Sequence, residues 1–456
     1  MNKPFLKKII AAVLLLILWE AAAVVIHNPF LIAGPVETVY AVFRLINEGV
    51  LLPSVFNSTV RILLGFMIGS VMGIAAAAFS DKSEWAYSFI DVIMRILRTI
   101  PVAAFIILLL MWYGNSFIST VISALVTAPI VYLNILKGLE SRDSKIIEMA
   151  DIYGIRGIRR FRFITLALIK PYLLSSLEIS FGMSFKSGVA AEVIGQPLKT
   201  VGNGMYRGKI YLATDEVLAW TLVIILTAFM LEWIIFRSRL RGIYDRMIRP
   251  GRMNSSAVCQ SMEKTGEHIK AADVGKAFGD HNVFKGVSFE VSAGDKLVIL
   301  GASGSGKTTL LNMIAGLDKD YTGEIDIPGI KGMMFQEDRL LEDMSPAENV
   351  MIADPQLTEE EAVNALRYLL PEDALHKPVK ELSGGEKRRV AAVRAMEHKA
   401  DFYLLDEPFT GLDVKACEDM VKYIDRKRGM AAVIITAHDE EDLPETWQQE
   451  LKMFRL

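Results

Sequence analysis

Apolar residues are distributed unevenly along this chain. Runs long enough to cross a bilayer, which takes about 20 helical residues, lie at 9–26, 58–80, 89–112, 116–136, 172–194 and 217–236. No comparable run follows. The third is the least regular: Asp91, Arg95 and Arg98 precede Pro101, so its first turns belong at a polar interface and its apolar core is 102–112. After residue 237 the pattern changes. A polar, small-residue stretch at 250–268 reads as a linker. Beyond it, 269–278 and 282–291 read as strands separated by a Gly-Asp-His turn. Residues 296–300 form an apolar strand that runs into a glycine-rich loop and a helix ending at Gly316, and 402–405 and 431–436 read as further buried strands. The expectation is an all-α, six-helix membrane domain over 1–249, a linker over 250–268 and an α/β domain over 269–456.

Charge sets the orientation. Lys3, Lys7 and Lys8 precede the first span, Arg237, Arg239, Arg241, Arg246, Arg249 and Arg252 follow the sixth, and the segment between spans four and five carries Lys137, Arg142, Lys145, Arg156, Arg159, Arg160, Arg162 and Lys170. The positive-inside rule puts all three in the cytoplasm, which an even number of spans allows. A basic start before an apolar run also fits a signal peptide, but the run is long and more spans follow, so an uncleaved helix is expected. The 50 basic and 53 acidic residues give a net charge of −3, with no basic stripe that would suggest a nucleic-acid partner. Cys259 and Cys417 are too far apart for a disulfide framework or a metal-ligand spacing, and a reducing cytosol suits the second half.

Gly301 to Thr308 read GASGSGKT between a strand and a helix, the context of a P-loop. Backbone amides of Gly301, Ser303, Gly304, Ser305, Gly306 and Thr309 and the helix N-terminus offer positive potential to phosphates, Lys307 adds a point charge, and Thr308 is placed to hold Mg²⁺. Further along come Gln336, LSGGE at 382–386, LLDEP at 404–408 and His438. Singly, Gln336 reads as a surface residue, His438 as a satisfied core histidine and Asp406-Glu407 as a solvated strand end. In this order and spacing the set resembles the ATP-binding cassette over 269–456, a P-loop ATPase fold. The resemblance implies that ATP and Mg²⁺ are bound, with Gln336 as the Q-loop residue and Ser383, Gly384 and Gly385 as the signature. It further implies that Asp406 holds Mg²⁺ through water, Glu407 polarises the hydrolytic water, Asp413 belongs to the D-loop and His438 contacts the γ-phosphate. Glu386 stands where Gln is commoner, and Thr410-Gly411 replace the usual Ser-Ala of the D-loop. Phe278 occupies the place of the adenine-stacking aromatic; a buried core phenylalanine is the alternative.

Residues 148–172, EMADIYGIRGIRRFRFITLALIKPY, read as a short helix ended by a left-handed Gly154 and followed by a basic interfacial stretch. The segment resembles the EAA loop of bacterial ABC importer permeases: Glu148, Ala150, Gly154, Ile164 and Pro171 sit on that pattern, while Met149 and Ala167 depart from it. The resemblance implies a coupling helix that docks in a groove of the ATPase. Stretches 51–66 and 184–195 make the membrane half similar to permeases of the nitrate, sulfonate and taurine importer family, which implies a small anionic cargo. Lys186, well inside the fifth span, either faces an anion pathway or pairs with Glu192 or Glu20. One P-loop and one signature per chain imply a homodimer with composite ATP sites. The expected setting is a bacterial inner membrane, multi-pass, with both termini and the ATPase cytoplasmic and with an extracytoplasmic solute-binding protein as partner. The alternatives are an exporter of lipid or drug and a cassette complex that signals without transport.

Overall fold

The computed structural model describes residues 3–26, 28, 30–240, 242, 268–279, 281–327, 329–448 and 451–456. The expected linker at 250–268 (apart from His268 at its end), Cys259 and the arginines at 241, 246, 249 and 252 lie outside the described residues. The chain divides into two compact units, Met1–Ser141 with Ile169–Asp245, and Arg142–Leu168 with Arg246–Leu456.

The first unit is helical: α1 Lys3–Ile26, α2 Pro35–Asn47, α3 Leu51–Ser80, α4 Glu84–Thr99, α5 Val102–Tyr113 and α6 Ile118–Glu140. After α7 (Ser144–Ile152), which belongs to the second unit, follow α8 Leu166–Gly195, α9 Val201–Ile210 and α10 Thr214–Glu232. Among the described residues, four helical segments are long and apolar enough to cross a membrane: α3, α6, 157–195 containing α8, and 214–236 containing α10. Residues Val13–Ile26 of α1 form a shorter apolar run. The expected third span is not one rod. It is α4 and α5, bent by 99° at their junction. Pro101 has no amide to donate and disfavours helical geometry at the residue before it; Ile100 accordingly adopts ψ 131°.

Close helix contact in this unit depends on small residues. A Cβ added at Gly65, Gly69 or Gly73 of α3 would stand 2.2, 2.6 and 2.7 Å from the carbonyl oxygens of Thr120, Ala124 and Ala128 on α6. This four-residue spacing lets two backbones meet where any larger residue would hold them apart. Around it, the Thr120 hydroxyl donates to the Arg61 carbonyl at 3.0 Å and that of Ser123 to the Ser184 carbonyl at 3.2 Å. Phe181 of α8 packs edge-on against Phe66 and Phe236.

The second unit joins α7 to two sheets. β1 (His268–Phe278) pairs antiparallel with β2 (His281–Ser292) and with β4 (Thr322–Asp326). β3 (Lys296–Leu300), β5 (Lys331–Met334), β6 (Phe402–Asp406), β7 (Ala432–Ala437) and β8 (Lys452–Arg455) form a parallel sheet in the order β5-β6-β7-β3-β8. β3, β6 and β7 are buried along their whole length, which is why they read as uninterrupted apolar runs. Besides α7, its longer helices are α11 Lys307–Ala315, α12 Pro346–Met351, α13 Glu359–Leu366, α14 Gly384–Glu397 and α15 Val414–Arg428. β6, β7 and β3 are neighbours in parallel register, so the loops leaving their carboxyl ends converge, the place where open α/β sheets bind ligands.

Candidate functional site

Leaving β3, the loop turns on Gly304 and Gly306, with φ of 83° and 99°, and Gly306 immediately precedes α11. These left-handed angles favour glycine. At Gly301 a Cβ would lie 2.6 Å from Ser305 Oγ and 3.2 Å from the Leu456 carbonyl oxygen, so a larger residue there would displace the Ser305 side chain. Lys307, almost fully buried, donates to the Gly301 and Ala302 carbonyls at 2.5 and 3.1 Å and lies 3.4 Å from His438 Nδ1. An ammonium group can only donate, so Nδ1 is the acceptor and the imidazole proton sits on Nε2. His438 Nε2 lies within ion-pair distance of Glu407 Oε1, 3.1 Å away, while Gln336 Nε2 donates to Glu407 Oε2 at 3.3 Å. Lys307, His438, Glu407 and Gln336, separated by up to 131 positions in sequence, thus form one chain of polar contacts.

Asp406 ends β6 with 1% exposure. Its Oδ1 accepts from the Thr436 hydroxyl at 2.5 Å, and its Oδ2 is buried with no partner. Burial pushes its pKa above the ordinary carboxylate range, partly offset by the hydroxyls of Thr436 and Thr308. A buried acceptor without a donor, beside a threonine at the head of the phosphate-type loop, is a donor set that fits a hard divalent cation. Glu407 follows at φ 48°, a left-handed backbone rare outside glycine, with its amide donating to Thr436 Oγ1 at 2.9 Å.

Ser383 caps α14. Its hydroxyl accepts from the Glu386 amide at 3.3 Å, and Glu386 Oε2 accepts from the Ser383 amide and hydroxyl at 2.8 Å each. This reciprocal box accounts for the Glu at 386. Asp413 likewise caps α15, accepting from the Ala416 amide at 2.8 Å. Among the described residues, no hydrogen bond joins Ser383, Gly384 or Gly385 to the Lys307–Glu407 chain of the same molecule. Phe278 is 58% exposed, with the Lys276 ammonium 4.8 Å above its ring, so it is no core residue.

The 142–168 loop clusters with the ATPase sheets, although its ends run into α6 and α8. Tyr153 is buried, its hydroxyl donating to the Met333 carbonyl at 2.6 Å and its ring standing edge-on to His398 at 5.1 Å. Glu148 accepts from Arg339 at 2.8 Å, Lys145 donates to Glu337 at 2.7 Å, and Arg159 donates to the Ile352 carbonyl at 3.3 Å. Ala150 is fully buried, and Gly154, with φ 62°, supplies the left-handed turn after α7. Two of these partners, Glu337 and Arg339, follow Gln336 one and three positions on in the chain.

Lys186 is exposed on α8 in the helical unit. Glu192 does not pair with it: its Oε2 accepts from Ser58 Oγ at 2.6 Å and from the Gly202 amide at 3.3 Å. Sequence reasoning missed Tyr153 and Arg388. Arg388 is buried in α14, with its partners up to 53 positions away, and one more arginine in a basic run gave no signal.

A parallel sheet carrying this loop, these acidic residues and this histidine, preceded by a helical unit with membrane-length segments, defines a cassette-type ATPase fused to a membrane component. Residues 284–410 match the family model described as ABC transporter, and residues 65–250 match that of the binding-protein-dependent transport system inner membrane component. The chain belongs to the ABC transporter family, with permease and ATPase in one polypeptide and ATP hydrolysis coupled to import. It is 36% identical over 179 residues to an aliphatic sulfonates import ATP-binding protein, SsuB 1, of Shouchella clausii, covering 38% of this chain and 72% of that protein. It is 37% identical over 200 residues to the lipoprotein-releasing system ATP-binding protein LolD of Bacteroides fragilis, covering 38% and 91%. The solved dimeric structure of a bacterial ABC transporter cassette is 28% identical, with a TM-score of 0.36 over 41% of this chain and 94% of that one.

Proposed function

We propose that two copies of this chain form an importer for a small organic anion, delivered by an extracytoplasmic solute-binding protein to a bacterial inner membrane. The observation that carries this reading is the seating of the permease's 142–168 loop on the segment that holds Gln336. In the dimer, the loop at 301–308 of one copy and Ser383 to Gly385 of the other enclose each ATP. Both termini and the ATPase lie on the cytoplasmic side.

Within each site the roles follow from chemistry. The Gly301–Gly306 amides and Lys307 bind phosphate. Thr308 and Asp406 would hold Mg²⁺, directly or through water, with Gln336 near it; the ion supplies charge neutralisation on the phosphates. Glu407 is the group that orients and polarises the attacking water, held between Gln336 and His438. Asp413 fixes the D-loop, and Phe278 is exposed for adenine stacking.

Anionic cargo is supported by a cavity of about 580 Å³ in the helical unit, between the α4–α5 bend, α6 and α8. Arg98, Lys137 and Asn134 give it polar points, Phe105, Leu125 and Met183 line its apolar wall, and no acidic residue among the described ones borders it. Lys186 lies seven and three positions beyond Ile179 and Met183, on the same face of α8. The sulfonate-import relatives point the same way. The lipoprotein-releasing relatives favour a lipid reading, whereas the match to a binding-protein-dependent membrane component favours uptake.

Uptake of a labelled alkanesulfonate by cells expressing the chain and its binding protein tests this. Accumulation is expected for the wild type. Glu407→Gln binds ATP within about twofold of wild type, but hydrolysis falls by about 10²–10⁴-fold and accumulation is lost. Normal steady-state hydrolysis in that variant would remove Glu407 from the role. Lys186→Met raises the half-saturating concentration about tenfold, the value of one charge-assisted contact; an unchanged value takes Lys186 out of the pathway.

A further inference from the structure

Arg388 sits in the first turns of α14 with 5% of its surface exposed. Its guanidinium forks to two separate segments. Nη1 donates to the carbonyls of Phe335 and Gln336 at 2.7 and 2.9 Å and to Asp338 Oδ1 at 3.1 Å. Nη2 donates to the carbonyls of Asp406 and Glu407 at 2.5 and 2.7 Å. One side chain thereby fastens the helix capped by Ser383 to the backbone of both residues that hold the hydrolytic position, Gln336 and Glu407. A planar group with five donors meets four carbonyls on two strand ends at once; an ammonium or a single amide cannot span them.

The inference rests on the composite-site reading given above. In that arrangement Ser383, Gly384 and Gly385 serve the nucleotide held by the partner, whereas Gln336 and Glu407 serve the nucleotide held by their own chain. We infer that Arg388 is a positioning residue that joins the two ATP sites, making the placement of Gln336 and Glu407 in one site depend on where α14 stands against the other. Closure of the signature on the partner's ATP moves α14. Through the fork, that displacement reaches the carbonyls on either side of the Glu407 side chain. The rigid tie makes hydrolysis at the two sites cooperative.

The full-length dimer reconstituted in liposomes supplies the test, with ATP hydrolysis measured against ATP concentration for the wild type, Arg388→Met and Arg388→Lys. The wild type is expected to show a Hill coefficient approaching about 2, the ceiling for two sites. Arg388→Met brings it to about 1 and lowers the maximal rate about tenfold or more, while binding of a fluorescent ATP analogue changes less than about threefold. Should the methionine variant fail to fold, Arg388→Lys keeps the buried charge without the fork and is expected to lose cooperativity in the same way. A cooperative wild type whose variants hydrolyse more slowly at an unchanged Hill coefficient overturns the inference, because Arg388 then supports only its own site. Variants equal to wild type in both readouts overturn it too. A non-cooperative wild type overturns the composite-site reading itself, and the inference with it.

Discussion

Asp406 shows how a single residue can be placed against its own stability. It is enclosed at the end of β6, with one carboxylate oxygen held by Thr436 and the other without a partner. Burial is the largest influence on its titration and raises its pKa, and the neighbouring Glu407 charge raises it further. A carboxyl whose folded pKa lies above its unfolded value of about 3.9 stabilises the fold while protonated. That contribution is fully present below the unfolded value and is lost as pH rises through the folded one. At neutral pH the ionised Asp406 therefore disfavours the nucleotide-free cassette, and a bound divalent cation reverses the sign. Asp406→Asn is expected to raise the melting temperature of the nucleotide-free cassette at pH 7.5 by about 2–4 °C, the shift that about 1 kcal/mol gives in a domain of roughly 200 residues. The gain disappears below about pH 4, where the wild-type carboxyl is protonated in both states. Stabilisation by Mg²⁺ with nucleotide is lost in the variant. A thermal scan with and without Mg²⁺·ATP decides, and a lower melting temperature for Asp406→Asn at pH 7.5 would sink the idea. Glu407, next in the chain, adds a left-handed backbone that costs on the order of 1–3 kcal/mol. Thr436 on its amide and Arg388 on its carbonyl hold it there.

At the scale of elements, what was legible in the sequence is what local chemistry decides alone. The strand at 296–300, the loop glycines and the helix behind them follow from an apolar run, two obligatory glycines and a good helix sequence, and all three stand where expected. α14 begins at Gly384 because Ser383 and Glu386 cap each other; Glu386, a departure from the signature by sequence, is half of a capping box. Other features depend on partners distant in sequence. Gly65, Gly69 and Gly73 lie within one apolar run, and only the carbonyls of α6 opposite them show why side chains are excluded there. β8 is a strand because β3 offers it a parallel edge, not because four residues at 452–455 favour one. The α4–α5 bend was half visible: Pro101 marked the break, but an apolar core of eleven residues could belong to a straight span or to a turned-back helix. Glu192 illustrates the same limit: pairing with Lys186 was one of the alternatives open to it, and the structure gives it Ser58 and the amide of Gly202 instead.

For the whole molecule, the question is what makes hydrolysis do transport. The chain passes from α6 into the 142–168 loop and back into α8, so any displacement of that loop is transmitted covalently to two membrane-length segments. The loop's hold on the ATPase is unevenly distributed. Its ion pairs, Glu148 with Arg339 and Lys145 with Glu337, are at least partly exposed, and such pairs contribute at most about 1 kcal/mol each. Tyr153 is different. It fills an enclosed position beside His398, stacks under the Arg394 guanidinium and donates to the Met333 carbonyl, and truncation of a buried aromatic to alanine costs about 3–5 kcal/mol. A loss of that size lowers the docked population by about a hundredfold or more, while Lys307, Glu407, Gln336 and His438 keep every contact described above. Tyr153→Ala is therefore expected to retain ATP hydrolysis within about threefold of wild type and to lose accumulation of cargo by at least about tenfold, an uncoupled transporter. Tyr153→Phe forfeits one hydrogen bond, about 1 kcal/mol, and falls between. Parallel measurement of phosphate release and uptake in the same vesicles separates the outcomes. Equal losses of hydrolysis and uptake in Tyr153→Ala would mean that the loop supports the ATP site itself; full uptake would mean that the exposed ion pairs suffice to carry the motion.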